Sequence, residues 1–278
     1  MPPKLGILAG GGALPLRLID ACKADNREFF VIALKDQADQ NAFNGIPHEW
    51  VRLGAAGKAL DLLRKNNVEE LVLAGSVKRP SLTALRPDSW GLKLLTKAGV
   101  NYLGDDGLLT AVIKELEKEG FVVVGAEDVM TSLLAAEKVY GNLSPDETAQ
   151  SDIEKGFEVA AILGRADVGQ AVVVQQGLVL AVEAIEGTEE MLKRVPLVAR
   201  DGPKGILIKT SKPNQERRVD LPTVGPDTIR QAHTAGLRGI AVEANRALVI
   251  DPAETAAVAD KLGLFLVGEA RQGRTSRE

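Results

Sequence analysis

Short apolar runs alternate with helical patterns through the first half of the chain, and this alternation limits the fold more than any other feature. Residues 5–9, 29–34, 50–53, 71–74 and 121–124 read as strands, mostly bounded by glycine or charge. Between them, residues 14–24, 58–66, 91–98 and 107–119 read as helices. In the last of these Leu109, Val112, Ile113 and Leu116 recur at i, i+3, i+4 and i+7, which makes one buried stripe. Strands joined by helices form a parallel sheet covered on both faces. Ligands of such sheets bind at the carboxyl ends of the strands.

The second half changes character. Runs at 171–175 and 178–185 flank Gln176-Gly177, a hairpin signal. Residues 205–210, 239–242 and 247–250 read as further strands, and 153–163, 228–235 and 252–262 as helices. Asp251 before Pro252 predicts an N-cap with proline at the first helical position. The chain is therefore expected to hold a Rossmann-like parallel-sheet domain over 1–140, a polar linker over 141–152, and a C-terminal α/β domain with a mixed sheet over 153–278.

Composition excludes several classes. The net charge of −4 argues against a general nucleic-acid binder, which needs a basic surface. Cys22 is the sole cysteine, so no intrachain disulfide and no cysteine metal cluster can form; a buried structural thiol is expected. No basic segment followed by an apolar stretch marks a signal peptide, and no apolar run is long enough to span a bilayer. A cytoplasmic protein is the expectation. His48 and His233 stand far apart, in no metal or triad spacing.

Candidate chemistry gathers where the strands end. Gly10, Gly11 and Gly12 follow the first strand and precede a helix, so their backbone N–H groups are candidates for holding phosphate. The match to a dinucleotide fingerprint is partial, because Pro15 occupies the third glycine position; Asp36 follows the second strand, where a ribose-binding acid would stand. Ser76, Lys78 and Arg79 follow the 71–74 strand and read as a second phosphate clamp or a solvated loop. Asp105 and Asp106 precede a helix, as caps or as contacts to sugar hydroxyls or a metal. Residues 209–228 concentrate charge. Lys209, Lys212, Arg217 and Arg218 suit a polyanion, and Asp220 and Asp227 place two carboxylates in a loop stiffened by prolines. Mg²⁺ takes one or two carboxylates together with substrate phosphates. The alternative is that Asp227 only caps a helix from Thr228.

Four segments taken in order, LGILAGGGALP, GSVKRP, EAIEGT (183–188) and VDLPTVGPDTI (219–229), resemble the LpxI family, the UDP-2,3-diacylglucosamine pyrophosphatases of lipid A synthesis. The resemblance runs over essentially the whole chain. It implies Mg²⁺-dependent cleavage of UDP-2,3-diacylglucosamine to UMP and 2,3-diacylglucosamine 1-phosphate, with water attacking the β-phosphorus. It adds Thr188 to the candidate substrate contacts, and implies transient contact with the cytoplasmic face of the inner membrane because the substrate is a lipid. A second copy of the chain, as a homodimer, is the candidate protein partner. Two other readings stay open: an NAD-dependent oxidoreductase built on the glycine turn, and a non-catalytic nucleotide-sugar-binding module.

Overall fold

A computed structural model describes residues 2–78, 85–98, 105–212, 218 and 221–270. The chain divides into two compact units, Met1–Thr131 with Glu216–Asp220, and Ser132–Gln215 with Leu221–Glu278. The expected pairing is found: a parallel-sheet Rossmann-like unit and an α/β unit with a mixed sheet.

In the first unit β1 (Leu5–Ala9), β2 (Phe29–Leu34), β3 (His48–Val51), β4 (Glu70–Ala74) and β5 (Val122–Val123) form one parallel sheet in the order β3-β2-β1-β4-β5. Helices α1 (Leu14–Ala24), α2 (Ala56–Lys65), α3 (Ser89–Ala98), α4 (Asp105–Lys118) and α5 (Ala126–Val129) connect and cover it. The chain winds outward from β1 to β3, then returns to β4 on the other side of β1. The strand order therefore reverses between β1 and β4, the usual ligand crevice of such sheets. Ile32, Leu60, Leu63, Leu71, Ile113 and Leu116 pack into one core with Val112 against it, so three residues of the stripe read on α4, Val112, Ile113 and Leu116, face the sheet.

The second unit opens with β6 (Lys138–Tyr140) and α6 (Glu147–Arg165). The hairpin β7 (Ala171–Gln175) and β8 (Leu178–Val182) follows, then α7 (Gly187–Arg194) and β9 (Ile206–Lys209). The chain ends in β10 (Thr223–Val224), α8 (Pro226–Thr234), β11 (Gly239–Glu243), β12 (Leu248–Val249), α9 (Pro252–Leu262) and β13 (Phe265–Glu269). The main sheet has the order β6-β13-β11-β9-β7-β8, with β13, β11 and β9 parallel and the remaining neighbours antiparallel. Alternation splits its side chains. Val172, Val174, Ile206, Ile208 and Ala241 pack under α6 through Ile153 and Phe157, while Val173, Leu207, Ile240 and Val242 pack on the opposite face with Ile229 and Ala259. Gln176 and Gly177 both take positive φ, 53° and 75°, as a tight hairpin turn requires. Buried Asp152 accepts both of their backbone N–H groups, at 3.0 and 2.6 Å.

Several boundaries differ from expectation. The strand read over 178–185 stops at Val182, where Glu183 turns inward, and Ile185 is left exposed. The helix read over 153–163 begins at Glu147. Asp251 does stand at the N-cap before Pro252, but at φ 46° and without a side-chain capping bond.

Asp146 caps α6. Its carboxylate accepts the Ala149 N–H at 2.7 Å and the Thr148 hydroxyl at 2.8 Å, and pairs with Arg238 at 2.9 Å. The Ala149 bond first, then Thr148, holds its carboxyl below the usual range. A carboxyl lowered in the folded state stabilises above its unfolded pKa and ceases to do so as pH falls through the folded value. Asp146→Ala should therefore lower Tm near neutrality, with the gap to wild type closing as the pH is taken below about 3.9. A gap of constant size in an acid series of melting curves would count against the cap.

Candidate functional site

In the first unit the glycine turn is tied to its neighbour. The Gly10 N–H donates to the Ala74 carbonyl at 2.8 Å and the Gly11 N–H to the Ser76 carbonyl at 2.8 Å; the Ser76 N–H returns a bond to the Gly11 carbonyl at 2.9 Å. This bridge closes the loops after β1 and β4 over the point where the strand order reverses. It also explains two of the glycines. A Cβ on Gly10 would lie 2.4 Å from the Ser76 carbonyl oxygen, and one on Gly75 would lie 2.4 Å from that of Gly11. The loop after β2 joins them, since the Lys78 N–H donates to the Gln37 side chain at 2.7 Å.

Ser76 and Lys78 are exposed on this edge. Gly12 differs from its two neighbours: it has φ +87° and a Cβ there would meet open space. Two of the three glycine N–H groups are thus committed to backbone partners. What remains for an anion is Gly12 with the first turn of α1, whose N–H groups lack helical acceptors. Arg79 lies outside the described residues. Asp105 is the first residue of α4, and its side chain also lies outside what is described.

The second unit gathers a denser set at the carboxyl end of its parallel strands. β7 runs antiparallel to β9, so Ala171 at its start sits opposite Lys209. Thr188, in the first turn of α7, donates its hydroxyl to Glu183 at 2.6 Å; Glu183 accepts the Gln170 N–H at 3.1 Å, and the Gln170 carbonyl accepts the Thr210 N–H at 3.0 Å. Lys212 pairs with Asp167 at 2.5 Å. Thr210 donates its hydroxyl to Glu243, and the Ser211 N–H and hydroxyl reach the same carboxylate oxygen, each at 3.3 Å. Lys209 reaches the Thr223 carbonyl at 3.1 Å. Glu183, Lys209, Thr210, Ser211 and Glu243 are all buried. Beside Glu243 in register stands Glu269, whose carboxyl burial pushes upward, with Glu154 and Glu137 adding to the shift.

Of the candidates from the sequence, Thr188, Lys209 and Lys212 therefore meet at one sheet end, and Gly10–Gly12, Ser76 and Lys78 meet at another. Glu243, Glu269, Glu183 and Asp167 were not singled out as site residues. The first two are visible in hindsight as charges closing apolar strands. Asp227 occupies the first turn of α8, but it is not the cap: Gly225 is, and its N–H donates to the Thr228 hydroxyl at 3.3 Å. The Asp227 side chain is 90% exposed and pairs with Arg230 at 2.7 Å. Asp220 lies outside the described residues. Among those described, no three His, Cys, Asp or Glu side chains gather as a metal-ligand group. Cys22 is buried as expected, and burial raises its thiol pKa. His48 packs with Phe43 and Trp50.

The family models "LpxI N-terminal domain" and "LpxI C-terminal domain" match residues 4–133 and 136–267. A protein of Caulobacter vibrioides named UDP-2,3-diacylglucosamine pyrophosphatase LpxI is 45% identical over 278 residues, covering 98% of this chain and 99% of that protein. Among solved structures, a putative NAD-dependent epimerase/dehydratase from Methylobacillus flagellatus aligns with a TM-score of 0.32 at 14% identity, over 95% of this chain and 75% of that one. CobK precorrin-6A reductase aligns with a TM-score of 0.31 at 13% identity, over 100% and 91%. Scores this low carry no statement about fold or activity.

Gly12 is the position that separates ligand contact from architecture. Gly12→Ala should cost about 1–2 kcal/mol through its left-handed backbone, with no steric clash. If the open space beside it takes phosphate, UMP affinity by titration calorimetry should fall at least about ten-fold in a folded variant. Wild-type affinity would leave the turn a purely architectural role.

Proposed function

The chain belongs to the LpxI family, and on that basis we propose that it hydrolyses the pyrophosphate bond of UDP-2,3-diacylglucosamine to UMP and 2,3-diacylglucosamine 1-phosphate. The observation that carries this reading is the match of both domain models in order, with 45% identity to a pyrophosphatase along nearly the whole chain.

The chemistry asks for three things. A diphosphate must be held, its charge must be offset as it develops, and a water must be aimed at one phosphorus. In the proposed reaction the water oxygen bonds to the β-phosphorus. The bond from that phosphorus to the bridging oxygen breaks, UMP departs with the bridging oxygen, and the water gives up a proton. Gly12 with the first turn of α1, together with Ser76 and Lys78, supplies donors and a cation suited to phosphate oxygens. At the end of the second sheet, Thr188 and Lys212 supply a hydroxyl and an ammonium group.

Mg²⁺ is part of the proposal. The donor chemistry suits it: Asp227 and Asp220 are two carboxylates of one segment, and substrate phosphates would fill the remaining positions. The Asp227–Arg230 pair is exposed, and such pairs contribute only about 0–1 kcal/mol, so this carboxylate can change partners at little cost. When bound, the ion would neutralise phosphate charge and acidify water. The role of Asp227 itself is to present a carboxylate at an exposed helix start, where it can bind the ion or orient the water.

No helix among the described residues is long and apolar enough to cross a membrane. From the lipid substrate, and not from that absence, we propose a cytoplasmic enzyme that meets the inner-membrane surface transiently; a homodimer is part of the same reading.

Two outcomes are expected from assays of UMP release. EDTA should abolish it and added Mg²⁺ restore it; turnover undiminished in EDTA removes the metal from the proposal. Asp227→Asn should lower kcat by about 10²-fold or more with Tm little changed, since the carboxylate neither caps α8 nor sits in the core and its ion pair is exposed. A fully active Asn variant takes Asp227 off the catalytic list.

A further inference from the structure

The segment Thr223–Val224 leads through Gly225 and Pro226 directly into Asp227. Its carbonyls are held in sequence. Pro222 accepts from the Leu248 N–H and Val224 from the Ile250 N–H, both at 2.8 Å, which is ordinary pairing with β12. The carbonyl between them, that of Thr223, accepts instead from the Lys209 ammonium at 3.1 Å.

That ammonium is out of place for packing. Lys209 is 7% exposed. It stands in register with Val242 and Ala171, on the same sheet face as Leu207, whose core also takes in Val224 and Ile229. A buried ammonium loses its hydration and must recover it from polar partners, of which the Thr223 carbonyl is one, whereas an apolar residue in this core would carry no such cost. Charges that break the packing rule cluster where function requires them. The lysine stem crosses the apolar face, and its head fixes the one carbonyl of β10 that the strand ladder leaves unpaired.

We propose that Lys209 is a positioning residue. By holding the Thr223 carbonyl it fixes the exit of β10 and the start of α8, and thereby aims Asp227 at the reacting diphosphate. It acts through Asp227 without touching the substrate. The inference rests on the pyrophosphatase reading above.

The test uses the full chain with UDP-2,3-diacylglucosamine and Mg²⁺. Lys209→Met keeps the stem and removes the head. The expected result is a kcat at least about ten-fold lower, since small misplacements of a catalytic group are costly, with KM within about three-fold of wild type. Hydrogen exchange should rise across 221–230 while β11 stays protected. Lys209→Arg, which can still donate to the carbonyl, should fall between wild type and the Met variant in both readouts, and it serves as the test if the Met variant does not fold. Wild-type kcat and wild-type exchange over 221–230 in a folded variant would overturn the proposal; so would a loss confined to KM, which would make Lys209 a substrate contact. Failure of the underlying reading is separate: a wild-type chain that releases no UMP refutes the pyrophosphatase assignment, whereas the exchange measurement reads the clamp without turnover.

Discussion

Neighbouring strands that run parallel cannot be joined by a tight turn. Each connection must pass back over a face of the sheet, so the loops that follow the strands all leave from one end. The candidate sites of both units depend on that constraint. In the first unit it puts the loops after β1, β2 and β4 side by side, where Gly11, Ser76 and Gln37 lace them together. In the second it sets Lys209, Glu243 and Glu269 at the ends of adjacent parallel strands. The two antiparallel neighbours, β7 and β6, lie outside this group and bring their starts or ends to it by register alone.

The same end is where burial and charge conflict. A strand covered on both faces is nearly all apolar, and β9, β11 and β13 follow that rule until their final residues. There each carries a charge into a protected place. Glu243 is acceptable because Thr210 and Ser211 direct three donors at one of its oxygens. Glu269 has the Gln150 amide at 2.9 Å, but burial outweighs it and the carboxyl is pushed toward its neutral form.

Regular elements could be read from the sequence when local chemistry set both ends. α1 and α9 have the expected bounds because a proline opens each and a polar residue or Gly263 closes it. β6, β13 and α7 escaped. β6 is short with exposed residues, and its pairing with β13 is a tertiary choice that no local pattern records. The first-unit site was readable because glycine clusters are conspicuous. The second was only half so. Lys209, Lys212 and Asp227 stand out within a charged stretch, whereas Glu243 closes β11 one residue past the strand read over 239–242. Its importance comes from Thr210 and Ser211, more than thirty residues earlier in the chain.

The glycine turn shows how a motif can mislead when only its residue types are counted. A dinucleotide fingerprint works because the backbone comes close to a pyrophosphate and offers it N–H groups at a helix start. Here the Gly10 and Gly11 N–H groups already serve Ala74 and Ser76. Their lack of side chains is explained by the close approach of the neighbouring loop, not by room for a cofactor. Asp36, which could have bound a ribose, sits at φ 63° in an exposed turn. Only Gly12 retains both an open space and a place beside the helix start. One such position cannot reproduce the close backbone approach along a pyrophosphate that a dinucleotide fingerprint provides.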